Sequence, residues 1–247
     1  MNIPIYALTI DPIGGSRRVH CHQEFLKRGL DFTFINGLTG DNLEVDKIYS
    51  KTKNLLFSKR SLTKSEIACY LGFRKIWKIF LDSGEDVCLI VEDDFKIVNE
   101  LAFKKILNSS NDHNSWDILK LFDFKPKKIL NEESWNGVSI VDYKYPASGC
   151  VAYLITRKAA KNLLKRKKIF RAVDEDFSNC WEMGIRVRSI NPNPIIEISH
   201  EVGGSNLEKE RSNKKKQTNA GRRIWGILLQ MRKQIFAFFY RKAFANF

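Results

Sequence analysis

The stretch Val87-Cys88-Leu89-Ile90-Val91-Glu92-Asp93-Asp94 (VCLIVEDD) decides the fold class. Five apolar residues in succession are the pattern of a strand buried on both faces, which a helix-covered parallel sheet requires. The run passes directly into three carboxylates, so acid is concentrated at a strand's C-terminal end. Open α/β sheets bind ligands beyond that end, where loops converge on a crevice. Like charges this close raise one another's pKa unless a cation joins them. A divalent ion such as Mg²⁺ or Mn²⁺ suits oxygen ligands and needs only one or two from the protein when substrate phosphates supply others. The competing reading is a solvated acidic turn, the common fate of short acidic runs in loops.

Working outward, residues 3–10 (IPIYALTI) read as a first strand ending in the turn cluster Asp11-Pro12-Ile13-Gly14-Gly15. Residues 17–29 follow as a helix with Val19, Phe25 and Leu26 on its apolar side and Gly29 as its stop, and residues 31–38 form a second strand ending in Asn36-Gly37. That is a βαβ unit. Thr63 and Glu66 have capping-box spacing at the head of a helix over 63–81, whose Ile67, Cys69, Leu71, Phe73, Ile76, Trp77 and Phe80 make one broad apolar face before Ser83-Gly84. Downstream, 116–122 and 148–156 read as strands, and 157–168 as a helix with Thr156 as N-cap and a basic last turn. Asn191-Pro192-Asn193-Pro194 breaks the alternation, 195–198 forms a last short strand, and 202–217 is polar. The class is α/β.

The chain has 247 residues, 43% of them hydrophobic and 12% aromatic, enough for an ordinary core and incompatible with a disordered tail. Its net charge of +14 is lopsided: residues 209–247 hold eleven basic residues and one acidic, Glu210. The basic balance therefore belongs to an appended segment, and the body is nearly neutral. Five widely spaced cysteines without a C-x-x-C pair fit reduced cytosolic thiols. A secretory signal and an apolar run of membrane-spanning length are both missing from the pattern, which predicts a chain that stays in the cytoplasm.

Three ordered motifs, Leu62-Thr63-Lys64-Ser65-Glu66-Ile67-Ala68-Cys69, a helix with Trp77, and Leu89-Ile90-Val91-Glu92-Asp93-Asp94, together resemble glycosyltransferase family 25, the bacterial lipooligosaccharide galactosyltransferases and their relatives. That family has "L-T-x-G-E-I-G-C" ahead of a Trp-containing helix and "I-L-E-D-D" at a strand end. The resemblance continues in Ile5–Ile10 with Arg18, in residues 148–160 (SGCVAYLITRKAA), similar to "G-x-x-x-Y-x-I-S-x-x-G-A", and in Val173-Asp174, similar to "P-V-D". It covers about residues 3–200. The chain departs from the pattern at Ser65 and Ala68, where the family has Gly, and at Gly72-Phe73, where a Ser-His pair is usual.

The resemblance implies a GT-A fold, a Rossmann-like nucleotide-sugar domain in which an Asp-x-Asp-type motif holds a divalent ion against a diphosphate. Asp94 is then the expected direct metal ligand, Glu92 an outer ligand or a ribose or water-mediated contact, and Asp93 the third in rank. His200, on the loop after the last strand, is a further candidate ligand, against the plainer reading of an exposed loop histidine. Leu8 and Thr9, in the first strand, and Arg18, Asn36 and Gly37, after the first two strands, are the expected cofactor-binding residues where the nucleotide is gripped; surface solvation of Arg18 and a plain Asn-Gly turn are the alternatives. Inversion needs a base opposite the leaving group. Asp174, at the "P-V-D" position, is the expected base and Asp176 the fallback, while the alternative has the Asp174-Glu175-Asp176 cluster capping or solvating the next helix. His20-x-His22 would point two rings to different sides of a helix and does not make a metal pair.

Residues 221–247 interleave Arg222, Arg223, Arg232, Lys233, Arg241 and Lys242 with Ile224, Trp225, Leu228, Met231, Ile235, Phe238, Phe239 and Phe244 at helical spacing. Such a helix suits the surface of an anionic leaflet; the plainer reading is a packing helix. The expectation is a catalytic unit over 1–205 and a basic linker with a membrane-associating helix over 206–247. Its function would be inverting, metal-dependent transfer of a hexose, galactose from UDP-galactose first and UDP-glucose next, to a lipooligosaccharide or other glycolipid or oligosaccharide acceptor at the inner face of the cytoplasmic membrane. The rivals are a nucleic-acid-binding protein, suggested by pI 9.6 and the aromatic-basic tail, and an inactive assembly partner.

Overall fold

The computed structural model describes residues 3–112, 114–204 and 220–245. The expected boundary at 205/206, most of the polar stretch 202–217 and the side chain of Phe244 lie outside the described residues. β1 (Ile5–Thr9), α1 (Ser16–Leu26) and β2 (Thr33–Asn36) form the βαβ unit, and β3 (Val87–Glu92) pairs parallel to β1 on its other side. The α1 face differs from expectation: Cys21 and Phe25 are buried, whereas Val19 and Leu26 face solvent. Phe25 packs between Phe32 and Phe95, and that aromatic contact sets which side of the helix turns inward.

α2 (Leu43–Ile48) and α3 (Lys51–Phe57), each with a side-chain N-cap from Asn42 or Ser50, fill the interval before α4 (Lys64–Asp82). The capping box is present: Thr63 Oγ1 accepts from Glu66 N–H at 3.1 Å and Glu66 Oε2 from Thr63 N–H at 2.9 Å. Arg60 clamps the same Glu66 carboxylate with both terminal guanidinium nitrogens. α4 buries Phe73, Ile76, Trp77 and Phe80 completely, each contributing about 1.5–3 kcal/mol through removal from water.

β4 (Phe95–Ile97) and α5 (Glu100–Asn108) follow β3, and β5 (Ile118–Lys120) is the core of the expected 116–122 strand. β6 (Ile129–Trp135) and β7 (Val138–Tyr143) form a hairpin through Asn136-Gly137, both with positive φ, 49° and 77°. That is a type I′ turn, for which Asn-Gly is the favoured pair. β8 (Ala152–Thr156) leads into α6 (Arg157–Leu164), capped by Thr156 Oγ1 from Ala159 N–H at 3.2 Å. α6 ends before residue 168, because Arg166 turns away to pair with Asp176 and Glu182. α7 (Val173–Ser178), a 3₁₀ turn (Cys180–Glu182), β9 (Val187–Ile190) and β10 (Ile195–Glu197) complete the body, and α8 (Ala220–Ala245) lies across it.

Eight strands form one sheet in the order β2-β1-β3-β8-β5-β9-β7-β6, with β4 and β10 as a separate antiparallel pair. β1, β2 and β3 are mutually parallel, and β8 runs antiparallel between β3 and β5. Side chains alternate across β3: Cys88 and Ile90 join the α4–α6 core, while Val87, Leu89 and Val91 join the core under α1 and α5. Burial on both faces explains the unbroken apolar run. This is a helix-covered, Rossmann-like α/β fold. All five cysteines are thiols rather than disulfides, and no described helix is long and apolar enough to cross a membrane.

Candidate functional site

Register assembles the site. Leu8 pairs with Glu92, so Thr9 comes level with Asp93, and the Thr9 hydroxyl donates to Asp93 Oδ2 at 2.5 Å. Thr9 also pairs with Asn36, and Gly37 N–H donates to the Thr9 carbonyl at 2.8 Å. Just beyond β1, Asp11 Oδ2 accepts from the backbone N–H groups of Arg17 at 3.0 Å and Arg18 at 3.3 Å, capping α1 from outside the helix. The N-cap position, Gly15, offers no side-chain cap, and a Cβ there would fall 2.1 Å from that carboxylate. With α1 phased by Asp11, the two adjacent arginines go separate ways.

Arg17 reaches the strand ends. Its Nη1 donates to Asp93 Oδ1 at 2.8 Å and to Asp94 Oδ2 at 3.0 Å, and its Nη2 to the Gly204 carbonyl at 2.5 Å. Arg18 turns toward β2, donating through Nε to the Asp11 carbonyl at 2.7 Å and through Nη2 to Asn36 Oδ1, with its guanidinium 4.7 Å over the Phe34 ring. It thereby ties the β1 loop to the end of β2.

Asp93 and Asp94 are 4% and 5% exposed. Burial pushes the Asp94 carboxyl up to about 6; Arg17 opposes the shift, and Asp93 and Glu197 add to it. Among the described residues Asp94 Oδ1 is buried without a hydrogen-bond partner. A desolvated carboxylate oxygen with uncommitted lone pairs is costly unless a cation or donor satisfies it. Among the described residues no three His, Cys, Asp or Glu side chains gather into a metal-binding group. What the site offers a cation is the uncommitted Asp94 oxygen beside Asp93, a donor set that would fit a hard divalent ion needing only one or two protein oxygens.

The opposite wall comes from the chain after β5. Lys120 is fully buried and donates to the carbonyls of Ala147 at 2.6 Å and Ser148 at 3.0 Å, fixing the loop into β8. Gly149 sits at φ +91°, where a Cβ would also fall 2.9 Å from Phe122 Cε1, and its N–H donates to Asp174 Oδ2 at 3.3 Å. Asp174 Oδ1 accepts from Glu175 N–H at 2.9 Å. Burial pushes the Cys150 thiol well up, and the charges of Asp174 and Glu92 push the same way. Asp174 and Glu92 are thus both close enough to act on this one cysteine.

Thr9, Arg18, Asn36, Gly37, Glu92, Asp93, Asp94 and Asp174 thus converge on the C-terminal edge of the parallel strands. Other candidates do not. The Leu8 side chain is turned into the core against Gly72, because the strand alternates its faces. Asp176 is fully buried, accepting from Tyr70 Oη at 2.7 Å and pairing with Arg166 Nε at 2.9 Å and Arg171 Nε at 3.7 Å; it serves as an internal counter-ion. His200 is exposed on the turn after β10 and joins no three-ligand group with Glu92 and Asp94. Phe73, where the family pattern has histidine, fills the core between Trp77 and Tyr153. Sequence reasoning missed Arg17, Asp11 and Glu197. Only Asp11 carried a signal, as an acid three to six residues ahead of a helix lacking a side-chain cap.

Two cavities lie elsewhere. One of about 80 Å³ is at the opposite ends of the strands, beside Ile3, Arg28 and Phe103, and one of about 200 Å³ lies under α8, beside Tyr143, Trp181 and Tyr240.

Residues 13–178 match glycosyltransferase family 25 (LPS biosynthesis protein). A Haemophilus influenzae protein named "Putative glycosyltransferase" is 30% identical over 177 residues, covering 65% of this chain and 59% of that protein. Procollagen galactosyltransferase 1-B of Xenopus laevis is 25% identical over 175 residues, covering 65% of this chain and 28% of that protein. The chain thus spans 59% of one relative's length and 28% of the other's, less than two thirds of either. A glycosyltransferase involved in glycosylation of the major capsid of PBCV-1 superposes with a TM-score of 0.43 at 10% identity, covering 86% of this chain and all of that one. The family match spans two thirds of the sequence and includes Arg17, the Glu92–Asp94 triplet and Asp174. The chain belongs to glycosyltransferase family 25.

Proposed function

We propose that the chain transfers a hexose, galactose from UDP-galactose first, to a lipooligosaccharide-type acceptor with inversion and with the help of Mn²⁺ or Mg²⁺. The observation that carries this reading is the meeting of Thr9, Arg17, Asp93 and Asp94 at the ends of two parallel strands, with one Asp94 oxygen desolvated and uncommitted. The family description and the naming of the Xenopus relative as a galactosyltransferase support the acceptor class and the sugar.

Each group has a part. Arg18 and Asn36 hold the end of β2, where the nucleoside would be received, and Glu92 stands across β1 from them at the end of β3. Asp94, with Asp93 or Glu92, would hold the divalent ion, which as a Lewis acid offsets charge building on the departing UDP. Asp174, held by two backbone N–H groups, takes the proton of the acceptor hydroxyl as that oxygen bonds to the anomeric carbon and the bond to UDP breaks. One displacement inverts the centre.

α8 supports action at an anionic membrane surface. Ile224, Ile227, Leu228, Met231, Ile235, Phe238 and Phe239 are exposed along it, beside Leu55, Leu56 and Phe57 of α3, and basic residues are interspersed. A lipid-linked acceptor would be presented at such a surface.

A panel of UDP-hexoses, each with and without Mn²⁺, tests the reading by thermal stabilisation and by sugar release or transfer. Metal-assisted stabilisation by one UDP-hexose, with turnover, is the expected result. Binding without turnover would favour the inactive assembly partner. Neither binding nor turnover, together with a salt-dependent shift of arbitrary DNA, would replace the enzyme by a nucleic-acid-binding protein.

A further inference from the structure

We propose that Arg17 is a resident cation that an incoming divalent ion must displace, the guanidinium and the metal being alternative occupants of the Asp93–Asp94 pair. The inference rests on the reading that this site takes a metal-bound nucleotide, and it concerns how the site is kept ready.

Three of the four carboxylate oxygens are committed. Thr9 and Arg17 hold the two of Asp93, Arg17 holds Oδ2 of Asp94, and Oδ1 of Asp94 is left over. An ion on that last oxygen would stand a few ångströms from a guanidinium already bonded to the same carboxylate. In a site this dry, repulsion between a double and a single positive charge outweighs what one oxygen supplies. The guanidinium must therefore leave before the ion can share both aspartates. Arg17 is able to leave: its side chain is 20% exposed, against 5% and 7% for those of the aspartates, so it has a path to solvent that they lack.

Displacement has a second effect. Nη2 of Arg17 is bonded to the Gly204 carbonyl, and the turn leading there is fastened at its other end by Ile198 N–H donating to the Asp94 carbonyl at 2.8 Å. When Arg17 swings out, the turn over 198–204 loses its tie to α1. Metal arrival and release of this turn thus become one event. The freed guanidinium would stay on the first turn of α1 at the edge of the site, where its planar fork would suit phosphate oxygens.

The test is Mn²⁺ binding to the full chain without nucleotide, followed by the loss of the free-ion electron paramagnetic resonance signal, for wild type, Arg17→Met and Arg17→Lys. Arg17→Met should bind Mn²⁺ about tenfold tighter or more, the order expected for removing a unit charge from a partly buried site. Without metal it should melt lower than wild type, and Mn²⁺ should raise its melting temperature more than that of wild type. Arg17→Lys, which keeps the charge on a shorter side chain and gives up the Nη2 bond to the Gly204 carbonyl, should fall between, and it decides the matter if the methionine variant does not fold. Equal or weaker Mn²⁺ affinity in the folded variants overturns the proposal, as does the absence of Mn²⁺ binding to every form. The functional reading fails separately: wild type without UDP-hexose turnover sinks that reading, whereas turnover with unaltered Mn²⁺ affinities sinks only this one.

Discussion

The Thr9 hydroxyl and the Asp93 carboxylate, 84 positions apart in sequence, meet at 2.5 Å and join the ends of β1 and β3 beneath the site. Thr9→Val removes this donor and leaves Asp93 to Arg17 alone. A hydrogen bond to a charged group stabilises by about 1.5–3 kcal/mol, so urea denaturation should show a loss of that order, with Thr9→Ser close to wild type. Equal stability of the valine variant would show that the bond contributes nothing.

On the proposed reading, metal-assisted donor binding should depend on pH through Asp94. Burial raises its carboxyl to about 6 in the folded chain, so between the ordinary aspartate value and about 6 the folded chain holds a proton that the unfolded chain has lost. Its contribution to stability is therefore greatest at the acid side and declines as pH rises across that window. Ligation runs the opposite way, because the protonated carboxyl is a poor metal ligand. Mn²⁺-supported UDP binding, measured by calorimetry, should strengthen as pH rises through about 6, and Asp94→Asn should abolish both the dependence and most of the binding.

Asp174→Asn should leave UDP-sugar binding nearly unchanged and lower turnover by roughly 10²–10⁴, the span of general-base catalysis. The asparagine can still accept the Glu175 N–H through its oxygen, so the start of α7 should persist. Undiminished turnover would remove Asp174 from the role.

Asp176 calls for the reverse outcome. It is the fully buried partner of Arg166 and Arg171, and removing one member of a buried pair costs about 3–5 kcal/mol. Asp176→Ala should lower the urea midpoint sharply, and Asp176→Asn less so. The asparagine variant, assayed well below its melting temperature, should keep its turnover per folded molecule; a loss there like that of Asp174→Asn would make Asp176 the base.

α8 docks through one side and leaves another open. Arg222 Nη2 donates to Asn54 Oδ1 at 2.6 Å, Trp225 Nε1 to the Leu56 carbonyl at 3.0 Å, and Phe236 stacks on Trp181 at 6.2 Å. Arg223 and Lys242 are exposed. The double change Arg223→Glu and Lys242→Glu should release the protein from anionic vesicles in sedimentation, since each basic residue near such a surface contributes about 1 kcal/mol, while leaving the melting temperature alone. Unaltered sedimentation would show that this helix only packs.

Much of the frame was legible because it follows from local rules. The VCLIV run, the Thr63–Glu66 box and the Thr156 cap each specify their element within a few residues, and β1, α4, β3, β8 and the start of α6 form as expected. The hairpin at Asn136-Gly137 was overlooked although its turn pair was in view. Arg17 could not be told from Arg18, because their difference depends on helix phase, which Asp11 and the Phe25 contact set from outside the helix. Glu197 reaches Asp94 only through the pairing of β10 with β4, a partnership that spacing along the chain does not encode. Asp174 and Asp176 read alike as acids; burial and the two arginines separate them.

At Gly72 a Cβ would stand 2.7 Å from Leu8 Cδ1. Positions 8 and 72 therefore share one volume, and a side chain at 72 requires the end of Leu8 to move. A serine introduced at 72 would have to push that leucine branch aside, and the push would fall one residue from Thr9, whose hydroxyl holds Asp93.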